Sequence, residues 1–473
     1  MGGSALYMLL AAGLGVGVAS CGGDDRPAEP ERFPVIGDLG GPHMAHPQLV
    51  PIFFADDVES STSEEYARFM VASRWLLQVG EDYGVGAGSV PGVVHLTEQA
   101  PDAISDAQIA DLVFARIADG TLPQPTSPDL LYMLYFPQHT VISLGGDTSC
   151  ADFGGYHLSA RRNGVELAYA VIATCDLLNT RDMVASHELI EAATDPYPDN
   201  HPGFQLADPT DPWRALGAEV ADLCERGDST DRWSEGSHQL QRSWSIKSAA
   251  AGFDPCIPNF RDPYYSVTAD VPSVPRIAPG GHLSIPLRGW ASGAEPPTWQ
   301  LSASPGRDDQ ATVKLGATAS AIDSTTTLDV TVSSNTPAGT FVRLFVFSFR
   351  DEDSFYQVMP MFAAVGDPCS TATTCEACSS RAGCGFCSSS GRCEALGETS
   401  CPAKSLATQP GSCRGFCASH GGNCLSCASL PGCGWCETGG APQCIEAAPD
   451  DRQPVGGTCA YADWAAAPNY CPR

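Results

Sequence analysis

The segment Ser186-His-Glu-Leu-Ile-Glu-Ala-Ala-Thr-Asp-Pro196 decides how the first half of this 473-residue chain is interpreted. Its His187 and Glu191 have the i, i+4 spacing that places two side chains on one face of an α-helix. Glu188 follows His187 directly, where it could activate a water molecule held by a metal ion. The segment therefore predicts a helix in which His187 and Glu191 are metal ligands and Glu188 is the catalytic base.

The residues on either side predict an α+β unit over residues 33–260. Its buried strands are expected at residues 49–54, 130–136 and 167–173. Residues 61–65 have the pattern of a capping box before one helix, whose expected apolar stripe is Tyr66, Phe69, Met70, Leu76 and Leu77. Asn179 or Thr180 is expected to cap the metal-site helix, and Pro196 should end it.

A metal ion on His187 and Glu191 needs at least one further ligand. The downstream residues that offer one are Glu219, Asp222, Asp195 and His201. Glu219 and Asp222 resemble a pair in gluzincin proteases, in which a later glutamate is a ligand and an aspartate orients a ligating histidine. The resemblance implies Glu219 as the third ligand and Asp222 as a supporting residue, and we predict Asp195 as a second supporting residue.

The predicted cofactor is zinc, although this ligand set leaves alternatives. One imidazole and two carboxylates would nearly cancel the charge of a divalent ion, which makes a bound water less acidic and also suits manganese, iron or calcium. The acidic loop 195–200, with Asp208 and Asp211 beyond it, is a second place for calcium. The other histidines show no ligand spacing among themselves, and we expect them to be ordinary: they include His43, His46, His95, His139 and His157.

Composition excludes some classes of function. The chain has 26 Lys and Arg against 55 Asp and Glu, a net charge of −29, which argues against nucleic-acid binding. Its 21 cysteines indicate maturation in an oxidising compartment, because cytosolic thiols stay reduced. We find neither a Gly-x-Ser-x-Gly elbow nor a phosphate loop in the sequence.

The N-terminus predicts export. Residues 5–19 are apolar but too few to span a membrane, and they lead into Val18-Ala19-Ser20-Cys21. This resembles a bacterial lipoprotein signal over residues 1–21, which implies that Cys21 is lipidated and anchors the protein to the outer membrane or cell surface. An ordinary cleaved signal, giving a secreted protein, is the alternative. Residues 22–32 are expected to form a flexible tether.

Residues 261–366 predict an all-β domain. Short β-type runs at 282–287, 326–332 and 341–349 are separated by turn signals, and the length suits an immunoglobulin-like sandwich. We expect this domain to be a spacer, since its sequence carries no motif for chemistry.

The C-terminal cysteines form a repeat over residues 367–414 and 415–473. Both copies contain Cys-x-x-Cys-x5-Cys-Gly-aromatic-Cys, as in Cys384-Gly-Phe-Cys387 and Cys433-Gly-Trp-Cys436. The repeat resembles a tandem pair of the small PSI modules of plexins, semaphorins and integrins. The resemblance implies that in each copy the first cysteine pairs with the fourth, the second with the eighth, the third with the sixth and the fifth with the seventh.

Four cysteines remain in the first unit, and sequence order makes Cys150 with Cys175 and Cys224 with Cys256 the simplest pairing. Around them lie Gly155-Tyr156-His157, the segment 186–196 and Glu219-Val-Ala-Asp222-Leu-Cys224-Glu225. Together these stretches resemble the exordium-like, phosphate-induced secreted family. The resemblance covers the first unit only and implies an extracellular protein with a zincin-like core.

Three functions are consistent with these observations. The first is a surface-anchored zinc hydrolase, a peptidase, in which Glu188 deprotonates a metal-bound water. The second is a non-catalytic adhesion or wall-associated protein that keeps the fold, and the third is a calcium-stabilised binding module. The alternative to any metal site is that His187, Glu188 and Glu191 lie on a half-exposed helix and only form hydrogen bonds. Substrate, a peptide or a cell-surface polymer, is not specified by the sequence.

Overall fold

The protein is described from a computed structural model, in which residues 32–473 form one compact unit. Cys21, the tether 22–32, Asn179 and Asp208 lie outside the described residues. The described residues are 33–144, 147–162, 164–175, 180–198, 201–207, 211, 213, 216–225, 232–258, 264–269, 271, 274–292, 298–350, 357–366, 369, 372, 374–379, 384–388, 390–395, 401–402, 405–408, 413, 417–418, 422–430, 433–437, 442–447, 459, 464–466 and 470–471.

The region 33–258 contains strands and helices around a mixed sheet. Its strands are β1 (Ile36–Asp38), β2 (Gln48–Phe53), β3 (Val94–His95), β4 (Ala103–Ser105), β5 (Leu130–Phe136), β6 (Val141–Leu144), β7 (Asp147–Thr148), β8 (Gly155–Arg162), β9 (Val165–Ala173), β10 (Phe204–Leu206), β11 (Arg232–Glu235), β12 (His238–Gln241), β13 (Ser243–Trp244) and β14 (Cys256–Ile257). Its helices are α1 (Ser60–Ala72), α2 (Arg74–Gly80), α3 (Asp106–Ala118), α4 (Thr180–Thr194) and α5 (Ile246–Ala250).

The central sheet has the order β3-β2-β5-β9-β8. Strands β3, β2, β5 and β9 are parallel, whereas β8 is antiparallel to β9 at the edge. Met133 of β5 belongs to an apolar cluster with α1, α2 and α4, and Leu134 belongs to a second cluster with α3. Both faces of the sheet are therefore buried, which explains the uninterrupted apolar runs that predicted β2, β5 and β9.

The predicted first helix is wrong in two respects. Residues 61–65 lie inside α1, which begins at Ser60 and has no side-chain cap, whereas Ser105 before α3 does form a capping box. The Ser73 hydroxyl donates to the Met70 carbonyl at 2.7 Å and accepts from the Leu76 amide at 3.1 Å, so the chain divides into α1 and α2. Because α2 has its own orientation, Leu76 is buried while Leu77 is 47% exposed.

Residues 264–366 form a β region with one shared core. Its strands are β15 (Tyr265–Ala269), β16 (Arg276–Ile277), β17 (His282–Ala291), β18 (Trp299–Pro305), β19 (Ala311–Leu315), β20 (Ala319–Ser320), β21 (Thr325–Val332), β22 (Phe341–Phe349) and β23 (Gln357–Val365). They make two sheets, β15-β17-β21-β19 and β16-β23-β22-β18-β20, whose inward side chains belong to one apolar cluster. The prediction of an all-β region is confirmed.

An aromatic cluster joins the first two regions. The ring of Phe33 lies 5.6 Å from Trp244, 5.0 Å from Tyr264 and 5.2 Å from Trp290, measured between ring centroids. Trp244 belongs to the first region and Trp290 to the second, so Phe33 packs against both regions where they meet.

The C-terminal region consists of two small units with the same topology. Its elements are α6 (Cys375–Ser379), β24 (Cys384–Cys387), β25 (Arg392–Ala395), β26 (Leu406–Ala407), α7 (Cys424–Ala428), β27 (Cys433–Cys436), β28 (Gln443–Glu446) and β29 (Trp464–Ala465). The sheets β25-β24-β26 and β28-β27-β29 are equivalent in order and direction. The repeated cysteine pattern thus corresponds to a repeated structure.

Disulfide bonds follow the predicted pairing throughout the described chain. In the first copy the pairs are Cys369–Cys384, Cys375–Cys413, Cys378–Cys393 and Cys387–Cys401. In the second they are Cys417–Cys433, Cys424–Cys471, Cys427–Cys444 and Cys436–Cys459. Cys150–Cys175 and Cys224–Cys256 confirm the pairing expected from sequence order.

Candidate metal centre

Helix α4 carries the predicted site to a cleft of about 350 Å³. The helix ends at Thr194, as predicted from Pro196. The cleft is lined by Asp152, Phe153, Gly154, Gly155, Met183, Val184, His187, Glu188, Asp222, Glu225, Arg232 and Gln241. His187 and Glu188 therefore lie within reach of a small molecule or a side chain that enters the cleft.

The imidazole of His187 is held between a carboxylate and an amide. Its Nε2 lies 3.0 Å from Glu191 Oε2, and its Nδ1 lies 3.0 Å from Gln241 Oε1. Gln241 donates through Nε2 to the Ala221 carbonyl at 3.0 Å, which turns its oxygen towards His187. Nδ1 therefore carries the proton that is donated to Gln241, and Nε2 faces Glu191.

Glu191 is fixed by backbone groups on one side and faces the histidine on the other. Its Oε1 accepts from the amides of Ala221 and Asp222 at 3.1 and 2.9 Å. These amides begin the 3-10 turn Asp222–Cys224, so Glu191 positions the segment that carries Glu219. Oε2 accepts from neither amide and faces both imidazoles, so it is the oxygen placed to bind metal ions.

Asp222 lies beside the site in a different role from the one predicted. Its Oδ2 accepts from the Ala218 and Glu219 amides at 3.1 and 3.3 Å, and its Oδ1 lies 3.5 Å from His187 Nε2. It thus approaches the nitrogen that faces Glu191, whereas Gln241 orients the ring through Nδ1. Gly217 has φ +148°, and a Cβ there would lie 2.1 Å from Asp222 Oδ2, so only glycine fits this approach.

His157 is the residue that sequence reasoning missed. It lies on β8 and is 5% exposed, with Nδ1 3.5 Å from Glu188 Oε2 and Nε2 3.5 Å from Glu219 Oε1. The prediction that it is an ordinary histidine was wrong, because the pairing of β8 with β9 brings it over α4. The glycine two residues earlier, Gly155, lets β8 approach α4 closely. A Cβ there would lie 2.4 Å from Val184 Cγ1 and 3.1 Å from Glu188 Oε1.

Asp195 supports the site from the end of α4. Its Oδ1 accepts from the Gly203 amide at 2.9 Å and its Oδ2 from Gln205 Nε2 at 2.7 Å. Its backbone carbonyl lies 3.0 Å from His157 Nε2 and accepts a hydrogen bond from it. Asp195 thus helps to orient His157, a residue that the prediction did not connect with it.

Burial and charge together perturb the ionisation of this cluster. Burial alone would lower the pKa of His157, but Glu219, Glu188 and Glu191 raise it to about 10. Burial also opposes the charged form of His187, yet the neighbouring carboxylates, Glu191 above all, raise its pKa well above the usual value. Burial raises the pKa of Glu188, Asp195, Glu219 and Glu225. The cluster therefore needs added positive charge for all its carboxylates to ionise.

Two overlapping groups have the composition of a metal site. His187, Glu188 and Glu191 offer ligand atoms within 4.8 Å of one another, and so do His157, Glu191 and Glu219. Among the described residues, Glu188 Oε2 and Glu219 Oε1 are buried without a hydrogen-bond partner. Orphaned buried carboxylate oxygens and imidazole nitrogens fit zinc. Glu219 is thus grouped with Glu191 and His157, whereas we predicted it as a ligand together with His187 and Glu191.

The predicted calcium loop is described only in part, because Asp199 and Asn200 lie outside the described residues. Asp195 is engaged as described above, and Asp211 Oδ1 accepts from the Trp213 amide at 2.8 Å. Asp208 lies outside the described residues. Calcium stays a prediction.

Comparison with known proteins assigns no family. No protein-family model and no curated protein match the chain. Among solved structures, domains 4 and 5 of the S-layer protein SbsC match at 12% identity and TM-score 0.17, covering 22% of this chain and 53% of that one. A family 123 glycoside hydrolase from Clostridium perfringens matches at 7% identity and TM-score 0.17, covering 22% of this chain and 27% of that one. The chain spans about half of the SbsC structure, at 53%, and such TM-scores carry no argument about function.

We find no helix in the described part of the chain that has both the length and the apolar character needed to span a bilayer.

Proposed function

We propose that the protein is an exported, zinc-dependent hydrolase that acts on peptides. The observation that carries this proposal is the buried Glu188 carboxylate, which lines the same cleft as His187 and whose Oε2 has no hydrogen-bond partner among the described residues. Burial of such an oxygen is costly unless a cation or a reacting group satisfies it. A zincin-like core is part of the proposal, and the packing of α4 against β8 and β9 supports it.

The side chains divide the work in the following way. His187 presents Nε2 and Glu191 presents Oε2 to the cation, while Gln241 holds the ring in place. Zinc in this position would polarise a carbonyl and lower the pKa of a bound water. Glu188 would accept a proton from a water bound there and return it to the leaving amine. Burial raises the pKa of Glu188, which strengthens the carboxylate as a base.

The cleft supports a peptide as substrate. Phe153, Met183 and Val184 supply apolar wall, and Arg232 supplies a cation beside the acidic groups. A volume of about 350 Å³ holds a side chain and its adjacent peptide bond. The signal-like N-terminus and the ten disulfide bonds support an extracellular location, with Cys21 as the lipid anchor.

The test is to compare the purified full chain with its Glu188→Gln variant. We expect elemental mass spectrometry to find zinc in both proteins, and hydrolysis of a peptide library to fall by at least about 100-fold in the variant, because only the base is lost. Glu65→Gln, an exposed change on α1, is the matched control and should leave turnover unchanged. Equal hydrolysis by Glu188→Gln would refute the assigned role, and absence of any bound metal would refute the proposal.

A second function is favoured by the size of the remaining chain. The two-sheet region and the two disulfide-bonded units fit an immunoglobulin-like spacer followed by PSI-like modules. This would suit a non-catalytic adhesion or wall-associated protein that keeps the metal site for stability. Stoichiometric metal without hydrolysis of any library peptide would favour it. Cys21→Ser should release the protein from membranes in either case.

A further inference from the structure

We propose that Glu191 bridges two divalent cations, the second of which is bound by His157, Glu191 and Glu219. This inference deepens the proposed function and rests on it for the first cation, at His187 and Glu191. The two groups of ligand atoms, each within 4.8 Å of one another, share only Glu191. A carboxylate common to two such groups is the usual link between paired metal ions.

The orientation of His157 carries the first step. Its Nε2 lies 3.0 Å from the Asp195 carbonyl, which can only accept, so Nε2 carries a proton. Nδ1 then faces Glu188 Oε2 at 3.5 Å and Glu191 Oε2 at 3.8 Å. In the neutral ring, Nδ1 presents a lone pair to two carboxylate oxygens, and a positive charge must lie between them.

The distances favour a metal ion over a proton in that position. Hydrogen bonds between an imidazolium and a carboxylate are about 2.7–2.9 Å long, shorter than both of these separations. Ligand atoms held at about 2.0–2.1 Å around a tetrahedral ion are roughly 3.4 Å apart, which is close to both. Glu219 Oε1 is also buried without a hydrogen-bond partner among the described residues, and Glu219 offers a ligand atom within 4.8 Å of those of His157 and Glu191.

The balance of charge supplies an independent step. Glu188, Glu191, Glu219 and Asp222 surround the two imidazoles, and Glu188 and Glu191 are 4% and 3% exposed. One divalent ion offsets two of these four negative charges, and a second offsets the others. A histidine with carboxylates suits zinc or manganese. When bound, such ions would supply activation of a water and stabilisation of the leaving group.

Metal stoichiometry of the full chain tests the inference without any substrate. The protein is stripped with a chelator, reloaded with excess Zn²⁺ alone, desalted and measured by elemental mass spectrometry. We expect two ions per chain. In a parallel sample loaded with Mn²⁺, we expect the electron paramagnetic resonance spectrum of an exchange-coupled pair, because one carboxylate joins the ions.

Variants assign the ions to the two groups. Glu219→Gln and His157→Gln should each retain one ion and give an uncoupled Mn²⁺ spectrum, whereas Glu191→Gln should lose both ions. Glu225→Gln removes an acidic residue that lines the cleft but belongs to neither group, and it should retain two. Circular dichroism melts identify any variant that fails to fold, and the wild-type stoichiometry decides the question without them.

One outcome separates this inference from the proposed function. A wild-type chain that saturates at one ion and hydrolyses peptides would overturn the second site and leave the proposed function intact. A wild-type chain that binds no ion would overturn both. Two ions that both persist in Glu219→Gln and His157→Gln would also overturn the assignment of the second site.

Discussion

The region 33–258 and the region 369–471 are stabilised in opposite ways. The first has apolar clusters on both faces of a five-stranded sheet and contains two disulfide bonds. The second has strands of at most four residues and eight disulfide bonds, and its buried side chains are largely the cysteines themselves. Small units that bury little apolar surface depend on such cross-links.

The difference explains where the site lies. A large core can hold Glu188, Glu191 and His157 out of water and still fold, because the apolar clusters around the sheet offset the cost of burying charge. A cross-linked unit has no such surplus. The candidate metal centre is therefore found where burial, and not covalent bonding, maintains the fold.

The largest expected difference in stability between the two regions follows reduction of the disulfide bonds. The bonds of the C-terminal region close loops with sequence separations of 14 to 47 residues, each worth about 3 kcal/mol. We expect complete loss of structure there after reduction, since their sum exceeds the stability of a small domain. Hydrogen exchange should show loss of protection in β24 and β27 while β5 remains protected.

The control is alkylation followed by mass measurement, which establishes that every cysteine has been reduced. Retained protection of β24 and β27 in fully reduced protein would contradict the comparison. Simultaneous loss of protection in β5 would show that the first region also depends on its two bonds.

Two neighbouring leucines on α2 test whether apolar burial stabilises the first region. Leu76 is fully buried in the cluster around the sheet, and Leu77 is 47% exposed. Leu76→Ala should lower the free energy of unfolding of the first region by about 2–5 kcal/mol, because it leaves a cavity. Leu77→Ala should change it by about 0.5 kcal/mol or less. Urea unfolding followed by tryptophan fluorescence measures both, and equal effects would show that the core is not packed as described.

The same two leucines show which parts of the fold could be predicted from the sequence and which could not. Apolar runs predicted β2, β5 and β9 because both faces of the sheet are buried. The resemblance to PSI modules implied the eight C-terminal disulfide pairs, and sequence order predicted the other two. Leu77 was misplaced because a single serine, Ser73, interrupts the helical pattern through its own hydrogen bonds.

The site was predictable only in the part that is local in sequence. His187, Glu188 and Glu191 share one helix, and spacing was sufficient to group them. His157 and Gln241 reach the site through strand pairing and tertiary packing, since they lie on β8 and β12. No spacing in the sequence encodes those contacts. The resemblance to the exordium-like family includes the stretch Gly155-Tyr156-His157, but it implied no role for His157.

Asp182 tests the cost of burying charge in the first region. Burial raises its pKa to about 6 from the usual 3.8, against the opposing charges of His238 and Arg181 and with a small contribution from Glu59. The folded protein therefore holds this proton more tightly than the unfolded chain, and stability should fall as the pH rises from about 4 to 6. Asp182→Asn removes that loss and should raise the free energy of unfolding at pH 8 by about 1 kcal/mol, allowing for solvent screening.

Urea unfolding at pH 4 and pH 8 measures this effect in the wild type and the variant. Their difference should be larger at pH 8, where Asp182 is ionised in both states, than at pH 4, where the folded protein keeps the proton and the unfolded chain has lost only part of it. A difference that is the same at both pH values would show that the carboxyl ionises normally.

The smallest expected effect concerns the point where the two regions touch. Tyr470, beside Cys471, contacts the Ser159 hydroxyl of β8 through its own hydroxyl, and the guanidinium of Arg161 lies 5.2 Å from the centre of its ring. Tyr470→Phe keeps the ring and removes only the hydroxyl, so it should cost about 1 kcal/mol or less in the unfolding of the first region. A double-mutant cycle with Ser159→Ala isolates the pair, with Tyr83→Phe as a buried control whose hydroxyl donates to the Trp244 carbonyl within the first region. A coupling energy near zero would mean that the cross-linked units are attached without stabilising β8, whereas a measurable one means that they also brace the strand that carries His157.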